Sequence, residues 1–255
     1  MIKSIQSGAE ILNYFTQEAP ELGVTEAAKR IGLSKSAVSR ILATLSQARL
    51  VSKNPVNQKY RLGPKVLELA DIFLMGMGWR AIAIPHLKEL RNKTDETVMI
   101  FILDGDHRVC LEIFESPHEL RPVLNIGGRY PLHAGSAGKI LLASLSEEER
   151  RKILTQAGMA RITPNTITDL KEMEKQLTQI RKQGYAISRQ ERTNFMSSIS
   201  APIKDYSGKV IAAVCIDGPT FRFTNQNLKK FKELLLATTT KISREIGHET
   251  IRGYR

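Results

Sequence analysis

The 255-residue chain predicts an α+β protein with an N-terminal winged helix-turn-helix and a C-terminal domain built on an antiparallel sheet. Three observations predict it. Residues 24–45, VTEAAKRIGLSKSAVSRILATL, read as two short helices around a tight turn. Two strand-forming runs, 50–52 and 59–62, follow at once across the turn Asn54-Pro55-Val56-Asn57. Further on, apolar runs in hairpins have helical stretches before, between and after them, as in α+β folds.

Taken in order, residues 3–17 predict a helix with Ile5, Ala9, Leu12 and Phe15 or Tyr14 inward, broken by Pro20 and Gly23. Thr25 is placed to cap the next helix. Ala28 is small enough for two helices to cross closely, Gly32 supplies a positive φ at the turn, and Val38 wedges between the helices. Ser34 is the N-cap of the second helix, whose buried face is Val38, Ile41, Leu42 and Leu45. Its opposite face, Ser36, Ser39, Arg40, Ala43 and Gln47, is small, polar and basic. Such a second helix enters the DNA major groove. An αα-corner within a core has the same small residues, but the basic hairpin that follows, with Lys53, Lys59 and Arg61, favours the winged helix. Arg40, Ser36 and Ser39 are the predicted base readers, and Lys35, Lys53, Lys59 and Arg61 the phosphate contacts. Ala37 and Thr44 complete the predicted DNA-binding set.

Gly63-Pro64 ends the wing and opens a helix over 64–77 that is apolar nearly all round. Such a helix is buried on two sides, either against its counterpart in a second chain or between two domains of one chain. An amphipathic helix spans 80–93. Strands 97–103 and 108–114 flank the turn Asp104-Gly105-Asp106, and a third strand is predicted over 120–126, followed by a loop from Gly127. A helix over 136–145 precedes the capping box Ser146-x-x-Glu149, and Thr168 is the predicted cap of a helix stopped by Gly184. Strands 185–191, 197–203 and 209–216 lead to a last helix over 225–246, with Leu228, Phe231, Leu235, Thr238 and Ile242 inward. The predicted divisions are 1–63, a linker helix 64–79, and 80–255.

A formal charge of +12 favours a polyanionic partner. No apolar run approaches the roughly 18 residues of a membrane span, and the N-terminus lacks a signal-peptide pattern, so a cytoplasmic protein is expected, with no membrane partner. Cys110 and Cys215 sit in apolar strand-like runs and are expected to be buried free thiols. The five histidines show no metal-ligand spacing, and no nucleophile is paired with a base. HAGSAGK fails the phosphate-loop pattern because Ile140 follows Lys139, and it reads instead as a loop-to-helix anion site.

Four stretches, in this order, resemble the IclR family of bacterial transcriptional regulators over nearly the whole chain: GLSKSAVSRILATL, KYRLGPKVLELA, YPLHAGSAGKILLA and SSISAPIKDYSGKVIAAVCIDGP. The resemblance implies a GAF-like effector domain, a homodimer or dimer of dimers, double-stranded operator DNA as partner, and control by a small organic acid, aromatic or sugar-derived metabolite. By position it implies ligand contacts from Ser136 and Ala137 at the start of the helix in HAGSAGK, and from Ser188, Met196, Ser198, Cys215 and Asp217 on later strands. The chain departs from the family at Ser198, a frequent Cys position, and at Cys215 and Asp217, frequent Ser positions. An Asp repels a second carboxylate and accepts from hydroxyls, which points away from a small dicarboxylate and toward a polyhydroxylated ligand. Asp217 reads equally as a turn residue before Gly218-Pro219, and Ser198 and Met196 as core. The sequence thus predicts a ligand-responsive, sequence-specific regulator, a repressor, needing no cofactor. The alternative is a small-molecule enzyme carrying a nucleic-acid tether.

Overall fold

The structure, a computed structural model, describes residues 2–248; Met1 and residues 249–255, the end of the predicted second domain, lie outside the described residues. The chain divides into two compact units, Met1–Gly78 and Trp79–Arg255.

The first unit contains α1 (Lys3–Leu12), α2 (Val24–Ile31), α3 (Lys35–Gln47), β1 (Val51–Lys53), β2 (Tyr60–Leu62) and α4 (Lys65–Met75). The first helix ends five residues earlier than predicted. Thr16 closes a local turn instead, its Oγ1 accepting from the Ala19 amide at 3.0 Å, and such turns compete with helix. The inward face also differs: Gly8 and Ile11 are buried, while Ile5 is exposed. Gly8 lies against Ile41 and Leu45 of α3, where a Cβ would stand 3.8 and 4.0 Å from their side chains. Thr25 does not cap α2, which begins at Val24 after an extended Gly23.

Gly32 adopts the left-handed conformation, φ 73°, and ends α2. Ser34 caps α3, its Oγ accepting from the Ala37 amide at 3.2 Å. Val38 and Leu42 are buried in a core with Ile11, Leu22, Ala27, Ala28, Val51 and Tyr60, and Ile41 and Leu45 pack partly against it. The two wing strands pair antiparallel, Val51 with Leu62 and Lys53 with Tyr60, and Leu22 bridges Tyr60 on the other side.

The second unit holds α5 (Gly78–Thr94), β3 (Thr97–Asp104), β4 (His107–Phe114), β5 (Arg129–Pro131), α6 (Ser136–Ala143), α7 (Glu147–Ala157), α8 (Leu170–Gln183), β6 (Ala186–Arg189), β7 (Met196–Lys204), β8 (Val210–Pro219) and α9 (Asn225–Glu245). Among the described residues its six strands are antiparallel in the order β5-β4-β3-β8-β7-β6. Residues alternate along each strand. Met99, Phe101, Cys110, Ala213 and Cys215 join a core with Leu141 of α6, Leu154 of α7 and Leu177 of α8. Val98, Ile100, Ile199, Ala201, Val214 and Ile216 have the opposite parity and are also buried. α9 packs on β7 and β8, and His86 of α5 bonds Glu245 of α9 at 2.8 Å.

The predicted third strand, 120–126, is not a strand: Leu120, Val123 and Ile126 are exposed. Pro122 interrupts it, and the edge of β4 is taken by the predicted loop instead. Gly127 donates to the Cys110 carbonyl at 2.8 Å, Gly128 accepts from the Cys110 amide at 3.0 Å, and Arg129 pairs with Val109. Asp169, not Thr168, caps α8, accepting from the Glu172 amide at 2.8 Å. Ser146 and Glu149 form the predicted capping box. On α9 Thr239 is buried beside Phe231, Leu235 and Ile242, whereas Thr238 and Leu228 are half-buried. Among the described residues no helix is long and apolar enough to cross a membrane.

Candidate nucleic-acid interface and ligand cavity

The helix pair and wing place the predicted DNA-contacting residues as follows. Lys35, Ser36, Ser39, Arg40 and Thr44 are exposed on α3; Ala37 is half-buried, its amide held by Ser34. The Thr44 hydroxyl donates to the Arg40 carbonyl at 3.0 Å, so it is turned along the helix. Arg40 has no ion-pair partner among the described residues, which leaves its guanidinium available to an external acceptor. Lys53, Lys59 and Arg61 are exposed on the wing. Glu21 holds this hairpin, its two oxygens accepting from Asn54 Nδ2 at 3.1 Å and Asn57 Nδ2 at 2.7 Å. Those two bonds keep the Glu21 carboxyl below its usual range. Sequence reading missed Glu21, which lies 33 and 36 residues from its partners.

In the second unit, the strand register assembles a polar wall. Ser188, Ser198 and Asp217 are successive cross-strand partners on β6, β7 and β8, and Ser200 and Cys215 pair in the next row. α6 lies across these rows. The Ser136 hydroxyl donates to Ser198 Oγ at 2.7 Å and shares a hydrogen bond of 2.7 Å with Ser200 Oγ. All seven positions singled out in the sequence, Ser136, Ala137, Ser188, Met196, Ser198, Cys215 and Asp217, line one cavity. Its free volume is about 20 Å³, room for one water. Burial pushes the Cys215 thiol up to about 11 and the Cys110 thiol up to about 12, so both stay protonated at neutral pH.

The cavity also contains residues the sequence reading passed over: Phe101, Arg108, Leu124, Arg192 and Thr193. Arg108 on β4 is 2% exposed. Its guanidinium lies over Phe101 at 5.3 Å and Tyr130 at 5.8 Å, and Nη1 donates to the Pro131 carbonyl. Burial, then the neighbouring Arg192, lowers its pKa to about 10. Two glycines of α6's first turns make room for it: a Cβ at Gly138 would stand 2.7 Å from Arg108 Nη1, and one at Gly135 3.0 Å from Nη2. Arg192 lies over Tyr130 at 5.5 Å and 3.8 Å from Asp217 Oδ2. Burial pushes the Asp217 carboxyl up to about 6, against the pull of Arg192 and Arg108. Among the described residues Arg108 Nε and Asp217 Oδ1 are buried without a hydrogen-bond partner. The signal in the sequence was parity: Arg108 is two residues before Cys110, on the same inward face of its strand.

Lys139, which sequence reading set beside a possible phosphate loop, is buried and points elsewhere. Its Nζ donates to Glu191 Oε1 at 2.6 Å, Ile187 O at 2.9 Å and Gln176 Oε1 at 3.1 Å. The other Glu191 oxygen accepts from the Gly135 amide at 3.3 Å. Thr166 Oγ1 donates to the Glu191 carbonyl at 2.7 Å and Thr163 Oγ1 to that of Gln190 at 2.6 Å. The segment that carries Arg192 is thereby anchored at Glu191 to α6 and to the loop before α8.

Residues 4–55 match the family model of the IclR helix-turn-helix domain, and residues 73–244 that of the bacterial transcriptional regulator IclR C-terminal. The chain is 33% identical to the HTH-type transcriptional regulator XynR of Escherichia coli (strain K12), over 97% of this chain and 98% of that one. It is 34% identical to the HTH-type transcriptional regulator KdgR of Dickeya chrysanthemi, over 91% of this chain and 76% of that one. Its fold matches the crystal structure of the Thermotoga maritima IclR with a TM-score of 0.79 at 27% identity, over 97% of this chain and 100% of that one.

Proposed function

The chain belongs to the IclR family of bacterial transcriptional regulators, which are not enzymes, and from that premise we propose how it binds operator and what releases it. Arg40, Ser36 and Ser39 read base edges in the major groove, while Lys35, Lys53, Lys59 and Arg61 bind phosphates and set the register. Ala37 and Thr44 lie along the same helix face. The protein acts in the cytoplasm as a repressor. It is a homodimer or dimer of dimers, since two half-sites give avidity. α4 supports this reading: none of its residues is buried, and Leu67, Leu69, Ile72, Phe73 and Met75 are exposed.

A small metabolite, an organic acid or a sugar-derived compound, occupies the cavity at Ser136, Ala137, Ser188, Met196, Ser198, Cys215 and Asp217 and changes operator affinity. The observation that carries this reading is the convergence of those seven positions, from α6, β6, β7 and β8, on one cavity with partnerless buried polar atoms. The test is a gel shift of purified protein on the DNA upstream of its own gene, at physiological salt with excess random DNA. A competitor-resistant band that a metabolite removes is expected. Binding erased by random DNA at this and neighbouring promoters would overturn it.

A further inference from the structure

The charges lining the cavity do not balance. Among the described residues its charged members are Arg108, Arg192 and Asp217, two cations and one carboxylate. The nearby Glu96 is engaged by Arg222 at 2.9 Å, and Glu191 by Lys139 at 2.6 Å, so neither offsets the surplus. Arg108 also stands beside Gly135 and Gly138, at the positive end of the α6 dipole, where a cation is disfavoured and an anion favoured. A buried, uncompensated positive charge is costly and is relieved by a bound anion.

We infer that the effector is a small hydroxycarboxylate whose carboxylate lies between Arg108 and Arg192 and whose hydroxyl donates to Asp217. This rests on the cavity being the effector site. The donor left without a partner, Arg108 Nε, and the acceptor left without one, Asp217 Oδ1, match those two groups of the ligand. Ser136, Ser188 and Ser198 offer hydroxyls to the rest of the chain. A single carboxylate neutralises the surplus, whereas a second would meet Asp217. The free volume of about 20 Å³ is below that of such a ligand, so binding moves a wall. Arg192 is the charged wall residue placed to yield, being half-buried while Arg108 and Asp217 are buried.

The test is calorimetry on the full chain with glycerate and gluconate, their uncharged counterparts glycerol and glucitol, their deoxygenated counterparts propionate and hexanoate, and the dicarboxylate tartrate. At least one hydroxycarboxylate is expected to bind tenfold or more tighter than its counterparts and than tartrate. Arg192→Gln should weaken it at least tenfold while melting like the parent, and Arg192→Lys should recover part of the loss. Equal binding of a polyol, an alkanoate or tartrate, no binding of either hydroxycarboxylate, or an unchanged Arg192→Gln affinity overturns the inference. Met196→Trp, which fills the cavity, separates this from the underlying reading. If it abolishes operator release by a metabolite of another class, the cavity stands as the effector site and the hydroxycarboxylate inference falls. If hydroxycarboxylate binding survives in Met196→Trp, the cavity reading itself falls.

Discussion

At the scale of single residues, the two units use charge in opposite ways. On α3 and the wing the cations are exposed; in the cavity Arg108 is buried and Arg192 half-buried. An arginine paired bidentately with guanine is worth about 1–3 kcal/mol of discrimination, while a phosphate contact carries no sequence information. Arg40→Ala is therefore expected to lose preference for operator over random DNA. Lys59→Ala should weaken both and reduce the salt slope by about one. Titrating both variants on both DNAs at several salt concentrations checks this, and equal loss of preference would remove the division of labour. Asp217 gives a pH prediction. Its carboxyl titrates at about 6 in the folded chain against an ordinary 3.8, because burial disfavours the charged form. A raised pKa contributes stability that is complete below about 3.8 and lost as pH rises through 6. The shift corresponds to about 3 kcal/mol. Asp217→Asn should therefore gain in melting temperature relative to the parent between pH 5 and pH 7.5, without ligand. A gap that stays constant, or reverses, would mean that Arg192 and Arg108 keep the carboxylate ionised. The exposed face of α3 was legible because helical periodicity separates a polar face from a buried one. Arg108 and Arg192 were not, because what makes them a pair is the placement of β4 beside the β6–β7 connection, a tertiary fact.

At the scale of elements, local chemistry predicted what local chemistry controls. The Gly32 turn, the Ser34 cap, the Ser146 capping box and the Gly184 stop all lie within a few residues of what they terminate, and all are present. The misplaced strand at 120–126 shows the limit. Its composition favours a strand, but pairing is decided by which segment reaches the free edge of β4, and residues 127–131 do. The loop before α6 has a similar lesson. HAGSAGK was legible as a loop entering a helix, but the reason for Gly138 is the close approach of Leu132 and Arg108. A Cβ there would stand 2.2 Å from the Leu132 carbonyl oxygen, a backbone atom that cannot swing aside. Gly138→Ala must then move α6 off the Leu132 backbone, and overpacking of this kind costs about 1–3 kcal/mol or more. We expect a lower melting temperature together with weakened effector response, since α6 carries Ser136 and Ala137. A variant that melts and responds like the parent would show that α6 shifts freely.

At the scale of the whole molecule, the unanswered element is α4. Sequence periodicity left two ways to cover its apolar surface. In the single chain Leu67 is 75% exposed, Phe73 56% and Met75 74%. A run of this kind on a monomer marks an interaction surface. Phe73→Glu is informative because the side chain is exposed in the single chain, so the unit should fold as before. A carboxylate placed in a dry interface costs several kcal/mol, enough to dissociate a dimer of ordinary affinity at micromolar protein. Sedimentation should then show monomer, with an unchanged far-ultraviolet spectrum. The gel shift on a two-half-site operator should weaken by two orders of magnitude or more, because the second half-site no longer adds avidity. Binding to a single half-site should change little, since α3 and the wing are untouched. A dimer that persists in Phe73→Glu would place the interface elsewhere. A monomer with undiminished affinity for the full operator would overturn the two-half-site reading, leaving one winged helix to account for all of the binding.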